Sequence, residues 1–221
     1  MSNQQFQSQL TEDLARLRQL LSHALPKDLP HNTKNPDLIR ILDLACGNCH
    51  EAETLADHFA PHTPAQPSAP AMVELVGVDV REREIADATA RCSDYLKNLA
   101  RSQGNNHAKK RAFEFLAADA TKVASHRELS DPFDVVFLRH QNFWHDKEIW
   151  HEIFQQGLEK LNPGGTLILT SYFDREHALA LEAVQHLGGD LITTMENSEA
   201  RALKTPGKSI DKQLAVFRKP A

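Results

Sequence analysis

Cysteine, positive charge and long apolar runs are all scarce in this chain, and each shortage removes a class of protein. Three cysteines, Cys46, Cys49 and Cys92, are an odd number in 221 residues. That argues against a disulfide framework and predicts reduced thiols. No apolar run comes near the roughly 20 residues that a membrane span needs, and the opening MSNQQFQSQLTEDL has no basic segment followed by an apolar one. The expected setting is the cytoplasm, with no membrane partner. The formal charge is -5, whereas a surface built to hold a nucleic-acid backbone carries excess positive charge to displace counterions. A nucleic-acid partner is therefore disfavoured, and a small-molecule acceptor is preferred. The short run Lys109, Lys110, Arg111 reads as a solvated loop. No repeat occurs at a solenoid period.

What remains is an ordinary globular composition, 41% apolar and 25% charged, at a length that holds one well-buried α/β domain. Phe6, Leu10, Leu14, Leu17, Leu21 and Leu25 recur three or four apart, the spacing of one helix face, and Pro26 ends that helix. Residues 1–36 thus form an N-terminal helix and connector ahead of a domain at 37–221. In that domain LIRILDL (Leu38 to Leu44) reads as a buried strand, with a helix over Glu51 to Ala60. PHTPAQPSAP (Pro61 to Pro70) reads as an inserted surface loop. Further strands are predicted at VELVGVDV (Val73 to Val80), FEFLAADA (Phe113 to Ala120), FDVVFL (Phe133 to Leu138) and TLILTS (Thr166 to Ser171). Helices separate them: one carries Ile85, Ala88, Cys92, Leu96 and Leu99, one runs from Ile149 to Leu161, and one from Glu176 to Leu187, ended by Gly188 and Gly189. Asn162 to Gly165 reads as a turn. LITTME and KQLAVFRK complete the chain as a helix-free strand pair. Alternation of this kind predicts a mainly parallel sheet covered by helices on both faces, with an antiparallel pair at one edge.

In such a sheet ligands bind beyond the carboxyl ends of the strands, so those ends carry the chemistry. The first ends in Asp43-Leu-Ala45-Cys46-Gly47-Asn-Cys49, small residues at alternate positions that let the backbone turn tightly against a ligand. The second ends in Asp79-Val80, where a carboxylate can accept both hydroxyls of a ribose. The third ends near Asp119-Ala120, where a carboxylate can accept from an adenine amino group. The fourth runs into Arg139-His140-Gln141-Asn142.

Taken together, these motifs resemble the class I S-adenosylmethionine-dependent methyltransferase family. The resemblance covers Leu38 to Arg218 and includes the Asn162-Pro163-Gly164-Gly165 turn before the fifth strand and the terminal strand pair. It implies a Rossmann-like seven-stranded sheet in the order 3-2-1-4-5-7-6 with the last strand antiparallel, and S-adenosylmethionine as cofactor. By position it implies that Asp43, Ala45, Cys46, Gly47 and Cys49 surround the methionine part, that Asp79 meets the ribose with Val80 beside it in the cofactor site, and that Asp119 and Ala120 meet the adenine. Ala45 and Cys49 depart from the usual glycines, and the Cys49 side chain is a potential obstruction. Without the ten residues of Pro61 to Pro70, the 30 positions from Cys49 to Asp79 reduce to the about 20 expected.

Rival readings are weaker. Cys46-Gly-Asn-Cys49-His50 matches the haem-attachment and C-x-x-C patterns, but an export signal and a second ligand pair for zinc are missing; no metal is assigned. A nicotinamide enzyme calls for G-x-G-x-x-G, which the turn does not supply, and aminopropyl transfer calls for acidic residues where Arg139 and His140 stand. Arg139, His140 and Asn142 are the candidate catalytic residues, with His140 the leading proton acceptor. Phe143 and Trp144 beside them are candidates to line an acceptor pocket. The asparagine-proline-proline-aromatic signature is absent after the fourth strand, which leaves the acceptor open. A non-catalytic scaffold that holds the cofactor is the competing function.

Overall fold

A computed structural model describes residues 3–25, 37–60 and 72–220. The connector expected at Pro26 to Pro36 and the loop expected at Pro61 to Pro70 lie outside these residues. In chain order the elements are α1 (Asn3–Ala24), β1 (Leu38–Leu44), α2 (Ala52–Phe59), β2 (Met72–Asp79), α3 (Glu82–Gln103), a single turn α4 (Asn105–Ala108) and β3 (Arg111–Ala117). Two short 3-10 turns, Ala120–Ser125 and Arg127–Leu129, lead into β4 (Phe133–Arg139). Then come α5 (Lys147–Lys160), β5 (Leu161–Ser171), α6 (Asp174–His186), β6 (Asp190–Glu196) and β7 (Gln213–Arg218).

The seven strands form one sheet in the expected order 3-2-1-4-5-7-6. Strands β3, β2, β1, β4 and β5 pair in parallel, while β7 runs antiparallel to both β5 and β6. Side chains alternate across a strand, so each central strand feeds two cores. Leu42, Leu44, Val76, Val136, Leu138, Leu167 and Leu169 pack under α5, α6 and the 3-10 turns. Ile39, Ile41, Leu75, Val135, Phe137, Ile168 and Val216 pack on the other face. There α1 inserts Leu17, Leu20, Leu21 and Ala24 beside α2, and the ion pair between Arg201 and Asp13 ties it to the loop before β7. Burying one such leucine contributes roughly 1.5 to 3 kcal/mol, so α1 is part of the core and not an appendage.

Two expectations about local structure are corrected. Asn162 to Gly165 is not a turn preceding β5 but an excursion within it: Leu161 pairs with Phe133, and the register resumes at Thr166 with Val135. Gly164 has φ 75°, and a Cβ on Gly165 would come within 2.9 Å of the Asn162 carbonyl oxygen, so the double glycine allows the backbone to fold back on itself. Lys219 closes the excursion, accepting from Gly164 N and donating to the Gly165 oxygen. The basic run is also solvated only in part: Lys109 stays exposed in a turn, but Arg111 opens β3, is buried, and pairs with Asp57 at 2.9 Å, where the carboxylate compensates the buried guanidinium.

The parallel register brings four strand ends to one edge: Asp43 lies level with Gly77 and Phe137, Asp79 with Ala117, and Arg139 with Thr170.

Candidate active site

The loop after β1 takes the left-handed conformation at Ala45 (φ 55°), Gly47 (φ 56°) and Cys49 (φ 46°). These are the alternate positions at which the sequence carries small residues. The loop is held from below by Cys46 N donating to the Val78 oxygen (3.2 Å) and Cys49 N to the Cys46 oxygen (2.7 Å). Arg91 of α3 donates to the carbonyls of Asn48 (2.8 Å) and Cys49 (2.5 Å). Gly77 is required beneath it, since a Cβ there would stand 2.6 Å from the Phe115 ring and 3.1 Å from the Cys46 sulfur. The Cys49 side chain turns inward to Asp43. It is buried, and Sγ donates to Asp43 Oδ2 at 3.1 Å.

Asp43 itself is wholly buried, and its Oδ1 has no hydrogen-bond partner. Burial and the neighbouring Glu51 carboxylate push its pKa well above the ordinary carboxylate range. Asp43, Cys49 and Glu51 bring three ligand-type atoms within 4.8 Å. Their contacts are those of a hydrogen-bonded cluster: burial holds the Cys49 thiol protonated, and Glu51 faces Arg139 at 3.2 Å.

Asp79 faces the same loop. Its Oδ2 accepts from Gly47 N at 2.8 Å, while Oδ1 accepts from Arg81 N at 3.0 Å and Arg81 Nε at 2.9 Å. Burial would raise this carboxyl, but the Arg81 bonds outweigh it and hold the pKa down. The Arg81 guanidinium lies over the loop: a Cβ on Gly47 would come within 2.7 Å of its Nη2. It is more than half exposed and leans on Glu84 as well. Val80 is 65% exposed beside it. Asp119 caps the 3-10 turn after β3, accepting from Thr121 N at 3.0 Å and Thr121 Oγ1 at 2.7 Å, with Lys122 3.3 Å from its Oδ2. Ala120, the first residue of that turn, is buried.

Beyond β4 the arrangement is different in kind. The Arg139 side chain is 9% exposed, and its guanidinium is engaged by Asp211 (Nε to Oδ1 3.0 Å, Nη2 to Oδ2 2.6 Å) and by Glu51 (Nη1 to Oε2 3.2 Å). Asp211 is buried. Arg139 and His140 hold its carboxyl far below the ordinary range in spite of that burial. His140 Nε2 lies 2.8 Å from Asp211 Oδ1, and its ring stacks on Tyr172 with centroids 3.9 Å apart. It is left-handed at φ 59°, a conformation tolerated where the surrounding bonds fix it. A cavity of about 450 Å³ opens here, walled by His140, Gln141, Asn142, Trp144, Tyr172, Glu176 and Lys208 among others. Phe143 is buried against Phe154 in the core, whereas Trp144 is partly exposed and tilts over Phe173 at 5.1 Å. The residues expected at the cofactor thus lie at and after the ends of β1, β2 and β3, and His140 and Asn142 line the cavity. Arg139 stands between them, its side chain turned to Glu51 and Asp211.

Residues 36–214 match the family described as methyltransferase domain. With its strand order, the chain belongs to the class I S-adenosylmethionine-dependent methyltransferases, and S-adenosylmethionine is its cofactor. Among similar solved structures is the N-methyltransferase NodS from Bradyrhizobium japonicum WM9, at 16% identity and TM-score 0.57, over 100% of this chain and 99% of that one. Another is magnesium protoporphyrin IX methyltransferase from Synechocystis PCC 6803 with the cofactor bound, at 15% identity and TM-score 0.57, over 97% and 79%. A third, the [4+2]-cyclase SpnF, aligns at 16% identity and TM-score 0.59, over 93% and 81%. At these identities the likeness is one of fold. A search of curated proteins by sequence found no significant match.

Proposed function

We propose that the protein transfers a methyl group from S-adenosylmethionine to a small molecule seated in the cavity beyond β4 and β5. The observation that carries this is the cavity itself, a concave site with converging polar groups on the same sheet edge as the β1 loop. The cofactor supplies a methyl carbon made electrophilic by its sulfonium, so the protein's task is to align an acceptor lone pair and exclude water.

The described residues fit that cofactor. The orphaned Asp43 Oδ1 at the base of the left-handed loop is an acceptor suited to an ammonium, and the loop of Ala45, Cys46, Gly47 and Cys49 offers close backbone approach. Asp79, freed when Arg81 swings out, accepts the ribose hydroxyls. Val80 lies beside Asp79 in the cofactor site, Ala120 lies at the adenine, and Asp119 receives the adenine amino group. Phe6 of α1 approaches the His50 ring at 6.4 Å, just past the loop, which supports a place for α1 along the cofactor side. Arg139 acts as a positioning residue. By fixing Asp211 it sets the orientation of His140, which lines the acceptor side with Asn142. The three free cysteines suit a reducing cytoplasm.

The test is transfer of labelled methyl groups into separate pools of small amines, alcohols, carboxylates, proteins and nucleic acids. Label in a small-molecule pool supports the reading. Label only in macromolecules overturns it, and cofactor binding with no transfer to any pool favours the scaffold.

A further inference from the structure

The cavity wall carries donors, among them Lys208, Asn142 and Thr205, but its two buried polar atoms without partners are both acceptors. Glu176, in the first turn of α6, is 1% exposed, and its Oε2 has no hydrogen-bond partner. Gln141, after β4, is wholly buried, and its Oε1 has none either. The orientation of that amide is fixed from behind. Gln141 Nε2 donates to Ser171 Oγ at 2.6 Å, and Ser171 Oγ meets His177 Nδ1 at 3.1 Å. Burial lowers the pKa of His177 to about 4, so the ring is neutral. With Gln141 Nε2 donating to Ser171 Oγ, the serine hydroxyl is free to donate to Nδ1, and the single ring proton then stands on Nε2, 2.7 Å from Thr194 Oγ1. The amide oxygen is the side of Gln141 without a partner.

Two buried acceptors without donors are costly unless something brings donors to them. The aromatic walls ask for the same thing. Tyr172, Phe173 and Trp144 offer ring faces, and a cation already sits there: Lys208 Nζ lies 4.1 Å from the Tyr172 centroid and 5.9 Å from that of Phe173. Ring faces attract ammonium groups, and the chain's own lysine occupies the position that a ligand ammonium would take.

We propose that the acceptor is an aliphatic amine, bound as its ammonium with N–H groups on Glu176 Oε2 and Gln141 Oε1, and that Glu176 receives the proton the nitrogen must lose. This deepens the reading of the cavity given above and rests on it. The proton passes from nitrogen to Oε2. The freed lone pair forms the nitrogen–carbon bond to the methyl group as the carbon–sulfur bond breaks, its electron pair staying on sulfur. The products are a methylated ammonium, S-adenosylhomocysteine and a protonated Glu176, which then loses its proton to water. Glu176 suits this part better than His140, whose Nε2 is committed to Asp211.

Burial raises the Glu176 pKa to about 7, against the opposing pull of the Tyr172 and Phe143 amides and of Lys208. The other ionisable groups around it are Tyr172, His140 and His145 on the cavity wall and Asp174 and His177 on its own helix. Amine binding should therefore strengthen as pH rises through 7 and level off above it.

The test is calorimetric binding of three probes of one length, hexylamine, hexanol and hexanoate, to the full chain saturated with S-adenosylhomocysteine. Hexylamine is expected to bind at least about tenfold more tightly than either partner, and Glu176→Gln to remove that preference. Gln141→Leu, which keeps the carboxyl, should weaken hexylamine several-fold, and Lys208→Met, which vacates the ring faces, should tighten it. Equal binding of all three probes, or an amine preference that survives Glu176→Gln in a folded protein, overturns the proposal. Labelled methyl found only in alcohols or carboxylates also overturns it while leaving the methyltransferase reading intact. Hexylamine selectivity without methyl transfer to any pool would instead sink that reading and keep the ammonium site.

Discussion

The two ends of the proposed reaction site are built in opposite ways. The cofactor end is local. Residues 43 to 49 and 79 to 81 supply the loop, the carboxylates and the covering arginine, and most of their hydrogen bonds run within or between these two stretches. The acceptor end is assembled across the chain from residues 139 to 145, 171 to 177 and 205 to 211, and it retains two buried acceptors with no donors. A site closed by its own neighbours is finished before ligand arrives, apart from Arg81, which the proposed ribose contact of Asp79 requires to move. A site drawn from distant segments keeps its shape only through a buried charge network, here Glu51, Arg139, Asp211 and His140.

That contrast is broken most severely at Arg139. Arg139→Met leaves Glu51 and Asp211 buried without their cation, a loss on the order of 3 to 5 kcal/mol. The melting temperature is expected to fall by about 10 °C, and scanning calorimetry reads it. An unchanged melting temperature would mean that the network does not hold the acceptor end.

Glu176 comes next, through the pH dependence of stability. Its folded pKa of about 7 stands above the ordinary 4.5, so the stability it contributes is complete below pH 4.5 and lost as pH rises through 7. His177 has the opposite sign. Held near 4 against 6.5, it contributes stability that is present above pH 6.5 and lost as pH falls through 4. Between pH 4.5 and 6.5 the two slopes oppose each other. Glu176→Gln should remove the falling one, so the variant gains roughly 3 kcal/mol on the wild type between pH 4 and pH 8. Parallel urea-denaturation profiles for the two proteins across that range would contradict this.

At the cofactor end the effects are smaller, because the covering Arg81 is local and exposed. Arg81→Ala removes the group that competes for Asp79, and S-adenosylhomocysteine is expected to bind about threefold to tenfold more tightly in a calorimeter. Weaker binding would make Arg81 a ligand contact. Smallest of all is Ala45→Gly, which relieves a left-handed alanine and should add roughly 0.5 to 1 kcal/mol of stability by urea denaturation.

The same contrast explains what could be read from the sequence. The fold was legible because each strand is a short apolar run and each helix repeats every three or four residues. The strand order came with the family resemblance. Asp43, Gly47 and Asp79 stood out because a strand end followed by small residues or a carboxylate is a contiguous pattern. Nothing comparable marks Asp211, which meets Arg139 across 72 positions, or Glu51, which meets it across 88. Glu176 in the first turn of a helix reads as an ordinary carboxylate favoured by the helix dipole, and only burial against Phe143 and Tyr172 sets it apart. Arg81 does carry a contiguous signal, a cation two residues beyond the strand-end acid. The excursion at Asn162 to Gly165 read as a turn because its glycines are local, while the pairings that place it inside β5 come from β4 and from Lys219.

The central claim is that the β1 and β2 ends hold the cofactor independently of the acceptor cavity. Calorimetric titration of S-adenosylhomocysteine into the wild type and Asp79→Ala tests it most directly. The expected result is one site per chain, weakened at least about tenfold by the substitution; no binding to the wild type, or equal affinity in the two proteins, would contradict it.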